Sequence, residues 1–105
     1  MNEIKEKSKK IIKLLNHINN DESNQVIKIK LSYLIQKYTV VDNLLNDGLY
    51  YLALSLIEKL KQWRTVNINN YLFSSNDKRC RELIDILLHL KLSVMHVVYK
   101  NIVIN

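Results

Sequence analysis

Apolar residues recur at alternating three- and four-residue intervals through almost the whole chain, and no proline interrupts them. Ile27, Leu31, Leu34, Tyr38, Val41 and Leu45 follow one another at steps of 4, 3, 4, 3 and 4. That spacing puts side chains on one face of an α-helix, whereas a half-buried strand would repeat every second residue. Sheet folds also need frequent turn residues, and a chain with one glycine, Gly48, and no proline lacks the punctuation of a sandwich or barrel. The pattern therefore predicts an all-α protein.

The same spacing sets the expected helices. Ile4, Ser8, Ile11, Leu15 and Ile18 predict a first helix over residues 3–19, ended by the poor helix formers Asn19-Asn20-Asp21. A second is expected over 23–46, although Thr39-Val40-Val41-Asp42 resembles a capping box and marks a potential break. Gly48 is placed to take the left-handed conformation that ends it. Leu49, Leu52, Leu56, Leu60 and Trp63 predict a third helix over 49–64. Residues 65–73, with Val66, Ile68, Tyr71 and Phe73 among asparagines, fit a loop, a helical turn or a short strand equally. Ser74-Ser75-Asn76-Asp77 reads as a capping box for a fourth helix that runs to about residue 100 on Cys80, Leu83, Leu87, Leu90, Val94 and Val97. At 105 residues one domain is expected, spanning 1–105. Short connections favour antiparallel neighbours, hence a four-helix up-down-up-down bundle.

Several function classes fall away. A single cysteine, Cys80, excludes an intrachain disulfide and a cysteine-based zinc cluster, and a reducing, cytoplasmic setting fits best. One glycine leaves no phosphate-cradling loop and no dinucleotide fingerprint, so no cofactor is expected. The most apolar stretch, Leu83 to Tyr99, carries Asp85, His89, Lys91 and His96 and is too polar and short to span a bilayer. The first fifteen residues interleave Lys5, Lys7, Lys9, Lys10 and Lys13 with Glu3 and Glu6, unlike a secretory leader. The wealth of asparagine, isoleucine and lysine points to an AT-rich genome, such as a low-GC bacterium, a virus or a mobile element.

Candidate chemistry is sparse. Arg81, Asp85, His89, His96 and Lys100 form a stripe along the fourth helix, and Asp85 at i−4 is placed to orient His89 as a base or ligand. An acid and base one turn apart are also among the commonest arrangements on a helix surface, so the stripe is expected to be the solvated face of an otherwise apolar helix. The Arg81-to-His89 spacing does not fit the close Arg-to-His motif of helical ribonucleases of the HEPN type. Cys80 falls at an apolar position and reads as a small core residue despite Lys78, Arg79 and Arg81 beside it. Gly48, Tyr50, Ala53, Ile57 and Leu60 resemble the second half of a tetratricopeptide repeat, but no second copy follows 34 residues on. An ordinary helical hairpin accounts for them. No enzyme and no metal site are expected.

Charge is the most informative feature. Lys59, Lys61, Arg64, Lys78, Arg79 and Arg81 face Asp77 alone in their stretch, a local +5 within a formal net charge of +6. In an antiparallel bundle the end of the third helix and the start of the fourth share a pole, where these cations are expected to converge. Cations in a first helical turn oppose the helix dipole, so Lys78, Arg79 and Arg81 point to an anion site, with Trp63 and Tyr71 as rings able to stack on bases. Lys5, Lys9 and Lys13 make the first helix amphipathic and basic.

The fourth helix carries more apolar side chains than one buried face needs, with Ile84, Leu88, Met95 and Val98 as candidates for self-association, and Ile102-Val103-Ile104 extending the surface. The expected function is that of a non-enzymatic bundle that forms a homo-oligomer through this helix and docks on a macromolecular partner, expected to be a protein. A nucleic-acid-binding accessory subunit using residues 59–81 is the first alternative, similar in size, helicity and basicity to small subunits of RNA-guided complexes. A small immunity or inhibitor protein, like bacteriocin immunity proteins in composition, is the second.

Overall fold

The computed structural model describes residues 2–104, with side chains from Glu3 to Ile102. Among the described residues five helices follow in order: α1 (Asn2–Asp21), α2 (Gln25–Asn46), α3 (Tyr50–Asn67), α4 (Asn69–Ser74) and α5 (Lys78–Ile104). The protein is all-α, with overall dimensions of 49 × 22 × 20 Å. The long axis follows the 27-residue α5, which at 1.5 Å per residue spans about 40 Å. No described helix is long and apolar enough to cross a membrane.

Each boundary has a local cause. Asn24 caps α2, accepting from the N–H of Val26 at 2.9 Å and of Ile27 at 3.2 Å. No break occurs at Thr39: its hydroxyl donates back to the Ile35 carbonyl at 2.7 Å, and Asp42 is buried within a continuous helix. At the end of α2, Gly48 takes φ +74°, donating to the Leu45 carbonyl, while the Leu49 N–H reaches the Leu44 carbonyl. These two bonds satisfy carbonyls that a helix end leaves open. The third helix overruns its expected end by three residues, to Asn67, and Ile68 with φ −144° kinks the chain into α4. Residues 65–73 are thus mostly helical, the region that periodicity left open. Asp77 rather than the upstream serines caps α5, accepting from the Arg79 N–H at 2.9 Å.

Packing is between sequence neighbours and across the ring they form. The α1 helix lies against α2 and α5, α3 lies against α2 and α5, and α4 rests on α3 and α5. Lys9 pairs with Asp42, Lys30 donates to the Asn67 carbonyl, and Arg79 pairs with Asp21, so early residues of one helix meet late residues of its neighbour. One apolar core joins them, built on Ile11, Leu15, Leu31, Leu34, Leu60 and Leu90. Ile68 and Leu72 close its lower end. Cys80 is fully buried, and burial pushes its thiol pKa up, against a role as thiolate.

Candidate functional site

The cations of residues 59–81 do not converge. Lys61 shares a groove with Glu58, Gln62, Thr65 and Lys91. Lys91 sits thirteen residues, or about 20 Å of helix, from Lys78. The pKa of Lys91 is lowered, first by partial burial and next by the neighbouring Lys61 cation. Convergence fails because α3 runs on to Asn67 and α4 fills the pole between the two groups.

Two of the six are engaged inside the fold. Arg64 Nη1 donates to the hydroxyl of Tyr38, whose ring is 1% exposed. Arg79 is held by both carboxylate oxygens of Asp77, by Asp21 Oδ2 at 2.7 Å and by the His17 carbonyl at 3.3 Å. These partners explain a cation in the first turn of α5 without any ligand: it links the cap of α5 to the last turn of α1. Lys59, Lys61, Lys78 and Arg81 are exposed.

The two rings are engaged as well. Trp63 is half-buried and stacks on Tyr33 with ring centroids 4.4 Å apart at 33°, while Lys37 lies 5.5 Å from the far ring of that pair. Tyr71 is half-buried on α4, and its hydroxyl pKa is raised by burial and then by hydrogen bonding to Glu22. Both rings thus have partners within the fold.

A different basic surface, read in the sequence only as an amphipathic helix, is present between α1 and α5. Lys9, Lys10, Lys13, His17 and Arg79 line a groove of about 560 Å³ with Leu14 at its floor and Glu82 on its wall. Lys10 pairs with Glu82 at 2.6 Å and Lys9 with Asp42 at 3.5 Å.

The histidine stripe of α5 faces solvent. Arg81, Asp85, His89, His96 and Lys100 are all exposed, and His89 Nδ1 lies 3.4 Å from Asp85 Oδ2. Among the described residues no three histidine, cysteine or carboxylate side chains gather as metal ligands would.

The outward face of α5 carries the largest departure from an ordinary surface. Its inner seam is Cys80, Leu83, Leu87, Leu90, Val94 and Val98, all buried. Val98 therefore belongs to the core at 5% exposure and is unavailable for self-association, and Ile84 is half-buried against the core. A second seam runs beside the first: Leu88 (53% exposed), Leu92 (50%), half-buried Met95, Tyr99 (52%) and Ile102 (63%). Their steps of 4, 3, 4 and 3 make a heptad stripe with a period close to that of a coiled-coil contact. At the α3 shoulder Tyr51, itself 69% exposed, adjoins Tyr99 and Ile102. At the α1 shoulder Leu92 and His96 adjoin Glu3 and Ile4. Leu88, Met95 and Ile102 were legible in the sequence, and the membership of Leu92 and Tyr99 was not, because only burial separates the two seams. The side chains of Val103 and Ile104 lie outside the described residues. Comparison with protein-family models, with curated proteins and with solved structures finds no match to this chain, so its reading rests on these surfaces.

Proposed function

We propose that the chain is a non-catalytic helical interaction module that self-associates through the outward face of α5. In this reading α1, α2, α3 and α5 form an up-down-up-down frame and α4 plugs one end. The observation that carries it is the second seam of α5, five apolar side chains at heptad spacing beside a seam already buried. Fully exposed leucines scattered singly need no explanation, but a continuous stripe of them costs solubility unless something covers it. With Tyr51 the stripe numbers six side chains, well short of the roughly 20 to 30 residues a side of a standard stable interface. A dimer with a micromolar dissociation constant is therefore expected. Sedimentation equilibrium from 1 to about 200 μM tests this. A mass that rises toward twice 12.5 kDa supports the reading, and a constant monomer mass over that range refutes it.

One observation favours a second reading, the binding of an anionic macromolecule at the groove of Lys9, Lys10, Lys13, His17 and Arg79. Single-stranded DNA is the direct probe. Binding whose log K falls with log salt, and whose slope drops by about 0.7 for each phosphate contact removed in Lys9→Gln and Lys13→Gln, supports it. Equal, weak binding by wild type and variants discards it.

A further inference from the structure

We infer that the groove between α3 and α5 is a nucleotide site, with the base between Tyr51 and Tyr99, the ribose hydroxyls on Glu58 and the phosphates on Lys61 and Lys91. Two neighbouring hollows make up this groove. One, of about 300 Å³, is lined by Tyr51, Leu54 and Ser55 of α3 and by Val98, Tyr99 and Ile102 of α5. The other, of about 310 Å³, is lined by Lys61, Gln62, Thr65 and Lys91. Glu58 lines both and so stands where they meet. Joined, they have the size of a small-molecule site.

Chemistry changes along the groove in the order of a nucleotide's parts. Tyr51 and Tyr99 are 69% and 52% exposed, so two ring faces from different helices are open to stack on a flat base. Next comes the Glu58 carboxylate, which only accepts hydrogen bonds, suits the paired hydroxyls of a ribose and repels a phosphate. Beyond it the Lys61 and Lys91 ammonium groups meet from opposite walls. After partial burial, the Lys61 cation is what lowers the Lys91 pKa, and Arg64 adds to the same positive field. Among the described residues neither ammonium is ion-paired with a carboxylate. Two like charges held together in this way repel, and a phosphate between them would accept from both. Spacing agrees with the order. Lys91 and Tyr99 are eight residues apart, or about 12 Å of helix, which leaves room for a sugar between ring and phosphate once the lysine side chain has reached along the groove. Inorganic phosphate would use the cation end alone. The groove of Lys9, Lys13 and His17 has no tyrosine or tryptophan on its walls and so offers no such place for a base.

ADP is the probe, titrated into the isotopically labelled wild-type chain up to about 5 mM while amide shifts are followed by NMR, a range that reaches millimolar dissociation constants. Amides along residues 51–65 and 91–102 should move on one saturable curve. Lys61→Gln with Lys91→Gln should weaken ADP about tenfold or more, and Tyr99→Leu about fivefold or more. Lys9→Gln with Lys13→Gln should bind like wild type. All these positions lie at the surface, and an unchanged far-ultraviolet spectrum confirms that each variant is folded. The carboxylate has its own readout: 2′,3′-dideoxy-ADP should bind wild type about fivefold more weakly than ADP, and Glu58→Ala should abolish that preference. The ring end shares Tyr51, Tyr99 and Ile102 with the outward stripe of α5, whereas Lys61 and Lys91 lie off it, so their signals report the nucleotide and not self-association. Absence of shifts at the highest ADP concentration would overturn the site. So would shifts centred on Lys13 and His17, or tripolyphosphate binding as tightly as ADP, which would leave an anion patch without a place for a base.

Discussion

Arg79 Nη1 lies 2.7 Å from Asp21 Oδ2 across 58 residues of sequence, joining the last turn of α1 to the first turn of α5. The same guanidinium grips Asp77, the cap of its own helix. An arginine that opposes the helix dipole is thus a strut between two helix ends.

Removal of the strut should be felt and removal of its neighbours should not. Arg79→Gln should lower the melting temperature, whereas Lys78→Gln and Arg81→Gln, at exposed positions without ion pairs to Asp21 or Asp77, should leave it within about a degree of wild type. Thermal melts of the three single variants decide this. Equal melting of Arg79→Gln and wild type would show that the ion pairs contribute nothing net, as many exposed pairs do.

Asp77 gives the pH dependence of that same joint. Hydrogen bonds from Arg79 hold its carboxyl below the usual carboxylate range, so the folded state favours the ionised form. Its contribution is present above the unfolded-state value near 4 and is lost as pH falls through that value and below. Asp77→Asn should therefore have a flatter melting profile between about pH 5 and pH 2 than wild type, measured by circular dichroism at matched salt.

Gly48 is required for its backbone and not for lack of space. Its φ is +74°, and a Cβ built there meets nothing within 4 Å. Gly48→Ala should cost about 1 kcal/mol through left-handed strain alone, and Gly48→Asn should cost less. Urea titrations with unchanged m-values would report this.

The two seams of α5 should respond in opposite ways to the same chemistry. Leu92→Glu places a charge on the outward stripe and should yield a folded monomer with an unchanged helical spectrum. Leu90→Glu buries that charge at a fully covered position and should unfold the subunit. Sedimentation paired with far-ultraviolet circular dichroism distinguishes the outcomes, and unfolding by Leu92→Glu would mean that the outer seam is part of the monomer core.

Helix content, the position of Gly48 at a helix end, and the inner seam of α5 from Cys80 to Val94 follow from the sequence by itself, because they depend on side chains within one or two turns of each other. Ile11, Leu34 and Leu90 declare a buried face by spacing alone. The tertiary structure decided what long-range packing controls. It extended α3 to Asn67 and set α4 against the end of the core, which separated Lys61 from Lys78 and dissolved the expected basic pole. It gave Arg64 to Tyr38 and Arg79 to Asp21, partners 26 and 58 residues away that no local pattern reveals. It also sorted Val98 into the core and Tyr99 into solvent. Adjacent residues on a helix differ by about 100° in direction, so which of two apolar stripes is buried depends on where α1 and α3 lie, and only the packed chain fixes that.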